Sequence, residues 1–156
     1  MDVRTIPRSR RNPQFSRENL PRSLKDAGIV YQHRPGLGGL RHPRRDSINT
    51  GWRNAGFRGF ADYMQTPEFH ENLERLIELA AVGPTAIMCA EAVPWRCHRS
   101  LIADALVGRG IEVLEILTAA KSQPHALTPF AKVEGGEVTY PSSGASDNLR
   151  LEFDAP

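Results

Sequence analysis

A chain of 156 residues, 40% of them hydrophobic, suffices for one domain around a single core. Its 12 prolines and 13 glycines predict extensive loop, and no apolar run is long enough for a membrane-spanning helix. The opening MDVRTIPRSRR is too polar for a secretory signal, and two cysteines without one predict free thiols in a reducing cytoplasm.

The net charge of +2 conceals an asymmetry: residues 1–60 carry 13 Lys/Arg against 4 Asp/Glu, and residues 61–156 carry 7 against 14. Seventeen of the 20 basic residues are arginine, whose planar fork suits phosphate and carboxylate. Charge patterning bears on partners rather than on fold. Arg8, Arg10, Arg11, Arg41, Arg44 and Arg45, with Trp52 and Phe57 among them, have the makings of a nucleic-acid surface, cations for phosphates and rings for stacking. A merely solubilising arginine face is the plainer alternative.

In chain order, Met1 to Ile6 reads as the end of a strand and Pro7 to Pro13 as a loop. A short helix carrying Leu20, Leu24 and Ala27 starts at Ser16 or near Pro21 and stops at Gly28. Ile29 to Tyr31 follows as a short strand, then residues 32–58 as a long loop of little periodicity. Gly36, Gly38 and Gly39 match no phosphate-loop fingerprint and read as turn residues chosen for positive φ. Thr66-Pro67-Glu68 is a helix start, with Phe69, Leu73, Leu76, Ile77 and Ala80 as the buried stripe and Gly83 as the end. Thr85 to Met88 reads as a buried strand, and Leu101, Ile102, Ala105 and Leu106 as one face of a helix. Ile111 to Leu117 is a further strand, and Lys132 to Tyr140 a hairpin turning at Gly135-Gly136. The alternation predicts a single layered α/β domain over residues 1–141, its mainly parallel sheet flanked by helices, with a C-terminal β-hairpin and a polar tail over residues 142–156.

Between the strand at 85–88 and the following helix lie Cys89, Glu91, Arg96, Cys97, His98 and Arg99. Open α/β sheets build sites at the carboxyl ends of their strands, so this stretch is the predicted site. Cys89 is a candidate nucleophile, since a helix N-terminus and neighbouring Arg96, His98 and Arg99 would lower its thiol pKa. The bland alternative is a small buried hydrophobe. Cysteine-dependent phosphatases and sulfurtransferases use a similar placement with five residues between Cys and Arg, whereas Arg96 and Arg99 follow Cys89 by seven and ten positions. Cys97, His98 and Arg99 fall in the first helical turn, where free N–H groups favour an anion, and Arg96 or Arg99 would add a bidentate grip. Cys89, Cys97 and His98 are also ligand types, but their spacing fits no short zinc ribbon. A fourth ligand would have to come from Glu91, His33, His42 or His125, so zinc is disfavoured and the sequence requires no cofactor. Glu91 suits general acid–base work. Asp2 and Arg4, ending the first strand, are expected to open onto the same edge.

The blocks DVRTIPRSRRNPQF, GLGG, WRNAGFRGFADYMQTPEF, MCAEAVPWRCHRSLIADAL and HALTPFAKVEGGEVTYP closely resemble the bacterial family called domain of unknown function 488, over residues 2–141. The resemblance implies a small soluble α/β protein with no assigned activity. It also implies motif positions at Asp2, Arg4, Pro7, Arg8, Asn12, Gly38, Gly39, Trp52, Phe57, Arg58, Tyr63, Cys89, Glu91, Cys97, His98 and Arg99, a set more polar than a core requires. Finally, it implies a further strand and helix around a Gly-His-Ser turn ahead of the DVR block, so an N-terminally shortened member is expected.

The sequence therefore predicts a cytoplasmic enzyme acting on a phosphorylated or otherwise anionic substrate, a nucleotide or nucleic acid included. Arg4, Arg8, Arg96 and Arg99, with Trp52 and Arg58, would bind it. Asp2 and Glu91 would act as acid and base, Cys89 or Cys97 would be the nucleophile, and His98 is the remaining catalytic candidate. Two alternatives stand beside this: a non-catalytic nucleic-acid-binding module using the arginine-rich residues 1–60, and a truncated, inactive family member.

Overall fold

In the computed structural model, which describes residues 1–142, the Thr66 hydroxyl accepts the Phe69 N–H at 3.3 Å and opens a helix over Pro67–Val82. Cap, first-turn proline and Glu68 beside the positive dipole end act there as expected. Phe69, Leu73 and Leu76 are its buried face, while Ala80 is exposed. In chain order the helices are α1 (Leu20–Asp26), α2 (Ala55–Tyr63), this one as α3, and α4 (Arg99–Gly108). Pro21 lies in the first turn of α1, as its missing N–H requires.

Helix α2 lies partly in the stretch read as loop. Its cap is Asn54, whose Oδ1 accepts the N–H groups of Gly56 at 2.8 Å and Phe57 at 3.1 Å. Two glycines lower its helical propensity, but Gly59 has a steric reason. A Cβ there would lie 2.6 Å from the Arg41 carbonyl oxygen, because residues 41–42 cross the helix at that point.

Among the described residues the mainly parallel sheet does not form. Parallel pairing is confined to isolated bridges from Asp2 to His33 and to Met88. Asp2 N–H donates to Gln32 O at 2.7 Å, Arg34 N–H to Asp2 O at 2.8 Å and Val3 N–H to Met88 O at 3.0 Å. The ladder ends there because Arg4 N–H turns to the Asp2 carboxylate at 3.1 Å, and Pro35, following Arg34, has no N–H to offer. Ile29 and Val30, expected as strand, are 53% and 80% exposed, and the pairing residues lie just beyond them. The strands proper are antiparallel: β1 (Leu114–Thr118) with β2 (Lys121–Pro124), and β3 (Lys132–Glu134) with β4 (Glu137–Thr139). The strand expected at 111–117 thus begins later and turns back on the next residues. The C-terminal hairpin forms as expected, with Gly135 and Gly136 at φ 59 and 87, the signature of a tight two-residue turn. The fold is mixed α/β. The predicted tail lies, from residue 143 on, outside the described residues.

The core joins Val3 of the bridged segment to Leu37, Phe60 of α2, Leu73 of α3, Leu101 and Ile102 of α4, and Tyr140. Val3 and Leu101 thereby fix the two chain segments that flank the site. Among the described residues no helix is long and apolar enough to cross a membrane.

Candidate active site

Five segments meet at one cavity of about 350 Å³: Arg4 to Arg8, Gly39-Leu40, the start of α2, Cys89 to Glu91, and Arg96 to His98. The Pro94–Arg96 turn folds the chain back, so that Cys97 and His98, just ahead of α4, stand beside Cys89, just past the Met88 bridge. The Cys89 and Cys97 sulfurs and a His98 ring nitrogen all lie within 4.8 Å of one another.

His98 is held from both sides. Its ring packs on Phe60 with centroids 4.9 Å apart, and Nε2 is 3.0 Å from the Leu37 carbonyl oxygen. A carbonyl only accepts, so Nε2 carries a proton, and in the neutral ring Nδ1 presents its lone pair to Cys97 Sγ at 3.7 Å. Gly39 makes room for this: a Cβ there would lie 2.4 Å from Nδ1. At Gly38 a Cβ would lie 2.3 Å from Thr5 Oγ1. Neither glycine, nor Gly36, has positive φ. Gly36 does lie in a turn, Pro35–Leu37, but the role of all three is close approach, which corrects the expectation of positive φ.

Cys97 is 2% exposed and Cys89 half-buried. Arg99 Nε donates to Cys97 Sγ at 3.3 Å, and its Nη2 donates to the Glu91 carbonyl. Arg99 is therefore a strut across the sulfur cluster. Proximity to Cys89 lowers the Cys97 thiol pKa well below its usual range; burial opposes this, and the Arg99 N–H donors reinforce it. The same proximity, burial and the neighbouring charge push Cys89 up.

Asp2 is fully buried and does not line the cavity. Its carboxylate accepts Arg4 Nε at 2.8 Å, Arg4 Nη2 at 2.6 Å and the Tyr31 hydroxyl at 2.7 Å. Burial disfavours its charge, but the bonds from Arg4 and Tyr31 outweigh that and hold the carboxyl below its usual range. Burial and the bond to Asp2 push Tyr31 up to about 12. Asp2 thus orients Arg4, which does line the cavity, as do Arg8, Glu91 and Arg96. Trp52 and Arg58 do not: Arg58 Nε donates to the Trp52 carbonyl at 2.9 Å, and the Trp52 ring stacks on Phe57 at 4.7 Å and meets Phe130 edge-on at 5.0 Å. They support the start of α2.

Of the other histidines considered as ligands, His33 Nε2 bonds the Arg4 carbonyl at 2.8 Å, and His125 sits between Asp104 and Glu115 at 2.8 Å each. Sequence reasoning missed Asn54 and the Leu37 carbonyl. The Asn54 cap was a readable signal; a backbone acceptor leaves none.

A family model described as Domain of unknown function DUF488 matches residues 1–106, the span that holds every residue lining the cavity. No curated protein and no solved structure matches the chain.

Proposed function

We propose that this chain, which belongs to the DUF488 family, is an enzyme acting on a small anionic substrate, a phosphate ester or a carboxylate. The observation that carries the reading is the wall shared by Arg4, Arg8 and Arg96 with Glu91, Cys89, Cys97 and His98. A cavity of about 350 Å³ has the size of a small-molecule site. Asp2 occupies Nε and Nη2 of Arg4, which fixes the guanidinium and turns its remaining edge to the ligand. Arg8 and Arg96, both exposed, close on the anion from the rim. Glu91 is the acid–base group, and the sulfur–imidazole cluster is the reactive centre.

A nucleic-acid-binding module draws less support. Trp52 is packed among Phe57, Phe130 and Tyr140 rather than offered to bases. Arg41 lies over the Tyr63 ring and donates to the Gly36 and Gly38 carbonyls, and Arg44 pairs with Asp46.

Calorimetric titration of the full chain with inorganic phosphate, phosphate monoesters and acetate tests the reading. Arg8→Ala and Arg96→Ala each lower anion affinity by about 10- to 100-fold, the worth of one charge-assisted hydrogen bond, while Arg45→Ala, away from the cavity, does not. Glu91→Gln keeps anion binding and loses turnover. Absence of anion binding by the folded chain, or binding indifferent to Arg8 and Arg96, overturns the assignment.

A further inference from the structure

We infer that Cys89, Cys97 and His98 are the three protein ligands of a zinc-type divalent metal, whose fourth position opens into the cavity. The ligand set can be tested whatever the substrate is; only its role as reactive centre rests on the anionic-substrate reading.

The geometry is that of a ligand triad. All three donor atoms lie within 4.8 Å of one another. With Zn–S near 2.3 Å and Zn–N near 2.0–2.1 Å, a tetrahedral edge between sulfur and nitrogen is about 3.6 Å; Cys97 Sγ to His98 Nδ1 is 3.7 Å. Two sulfurs and an imidazole suit zinc and other borderline or soft ions, and are the wrong donors for magnesium or calcium.

The surroundings are those of ligands. A metal-binding histidine usually donates its second ring nitrogen to a carbonyl or carboxylate, which fixes the tautomer. The Leu37 carbonyl does this at Nε2, 3.0 Å away, and leaves Nδ1 facing Cys97. Arg99 Nε–H on Cys97 Sγ at 3.3 Å orients the sulfur, and the missing Cβ of Gly39 clears the space against Nδ1. Ribbon spacing gives no warning of the site because the cysteines stand on different elements, one past the Met88 bridge and one after the Pro94–Arg96 turn.

Three ligands beside an open cavity are the pattern of a catalytic rather than a closed structural site. The arginines of the wall repel a bare dication. Two thiolates cancel its charge, however, and the arginines then attract an anionic ligand to the fourth position. Glu91, two residues after Cys89 and on the same wall, is placed to take or give the proton of a water bound there.

The test is titration of the reduced, chelator-treated full chain with Co²⁺ alone, followed by Zn²⁺ competition. One equivalent binds, with sulfur-to-cobalt charge-transfer bands and the intense d–d bands of a tetrahedral ion, and zinc displaces it. Cys89→Ser and His98→Gln weaken binding on the order of 100-fold or more, and Gly39→Ala, which disturbs only the support, by about 10- to 100-fold; Glu91→Gln binds as the parent does. No uptake by folded protein, or uptake indifferent to Cys89→Ser, overturns the site. Cys89 is half-buried, so its serine variant decides the matter even if a change at Cys97 prevents folding. Phosphate binding by the metal-free chain is measured alongside: its survival without metal uptake sinks the metal site alone, and metal uptake without phosphate binding sinks the anion reading alone.

Discussion

At the scale of single residues, the two thiols of the metal-free protein are pushed in opposite directions by their proximity. The interaction with Cys97, together with burial, pushes the half-buried Cys89 thiol up, and the interaction with Cys89 pulls the buried Cys97 thiol down. Removing Cys97 takes away the interaction that pushes Cys89 up. Cys97→Ser should therefore return the Cys89 pKa towards the ~8.5 of a free thiol. Its thiolate fraction near neutral pH then rises about tenfold for each unit of fall. Iodoacetamide alkylation of Cys89 against pH, in the presence of chelator, measures this. A rate profile identical in parent and variant would mean that Cys97 does not set the Cys89 pKa.

At the scale of elements, α4 is anchored through a charge in its buried face. Asp104 is fully buried and accepts four hydrogen bonds: His125 Nε2 at 2.8 Å, Thr128 N–H at 3.0 Å, Thr128 Oγ1 at 2.7 Å and the Tyr140 hydroxyl at 2.8 Å. His125 Nδ1 faces Glu115 of β1 at 2.8 Å. The ring lies between two carboxylates and both nitrogens donate, so the cation is favoured. The Asp104 bond raises the His125 pKa, burial opposes, and the Glu115 bond adds to the rise. A raised folded-state pKa means stability fully present below the unfolded value of about 6.5 and lost as pH rises through the folded pKa. Urea unfolding of parent and His125→Gln from weakly acidic to alkaline pH should show a gap that narrows as pH rises. Asp104→Ala, which strips the network at every pH, should cost about 3–5 kcal/mol.

Little of that anchor was legible, since the groups that donate to Asp104 lie 21 to 36 positions from it; the hint was an aspartate inside the apolar run of α4. Signals contained in one turn read well, as at Thr66-Pro67-Glu68 and Gly135-Gly136. Helix α2 stayed hidden behind glycines whose reason is a crossing segment. The parallel sheet was over-read because Asp2 pairs at single bridges, a limit set by its own side chain. The candidate site was legible where Cys89, Glu91, Arg96, Cys97 and His98 fall within ten residues. Asp2 was assigned to proton transfer because the sequence does not show that Arg4 and Tyr31 occupy its carboxylate.

At the scale of the whole molecule, Asp2 ties together segments that are distant in the chain. Its backbone bridges His33 and Met88, and its carboxylate holds Arg4 and Tyr31. The Asp2–Arg4 pair is 0% and 7% exposed, against 70% and 62% for Asp46–Arg44. The surface pair is worth about 0–1 kcal/mol. Breaking the buried one by Asp2→Asn leaves an arginine without its counter-charge, at about 3–5 kcal/mol, a large part of the roughly 5–15 kcal/mol that holds a domain together. Asp2→Asn with Arg4→Met should recover part of the loss, because no unpaired charge then remains. The Asp2 pKa is depressed, so its contribution is present above the unfolded value of about 3.9 and fades as pH falls through the folded one. Denaturant unfolding of parent, single and double variants from neutral to acid pH measures all of this. In the parent, stability should fall with acid below about pH 4, and in Asp2→Asn that component should be missing. High salt should leave the difference nearly unchanged, since buried pairs are little screened. If Asp2→Asn costs no stability, Asp2 is not the tie between these segments, and the orientation of Arg4 towards the cavity loses its support with it.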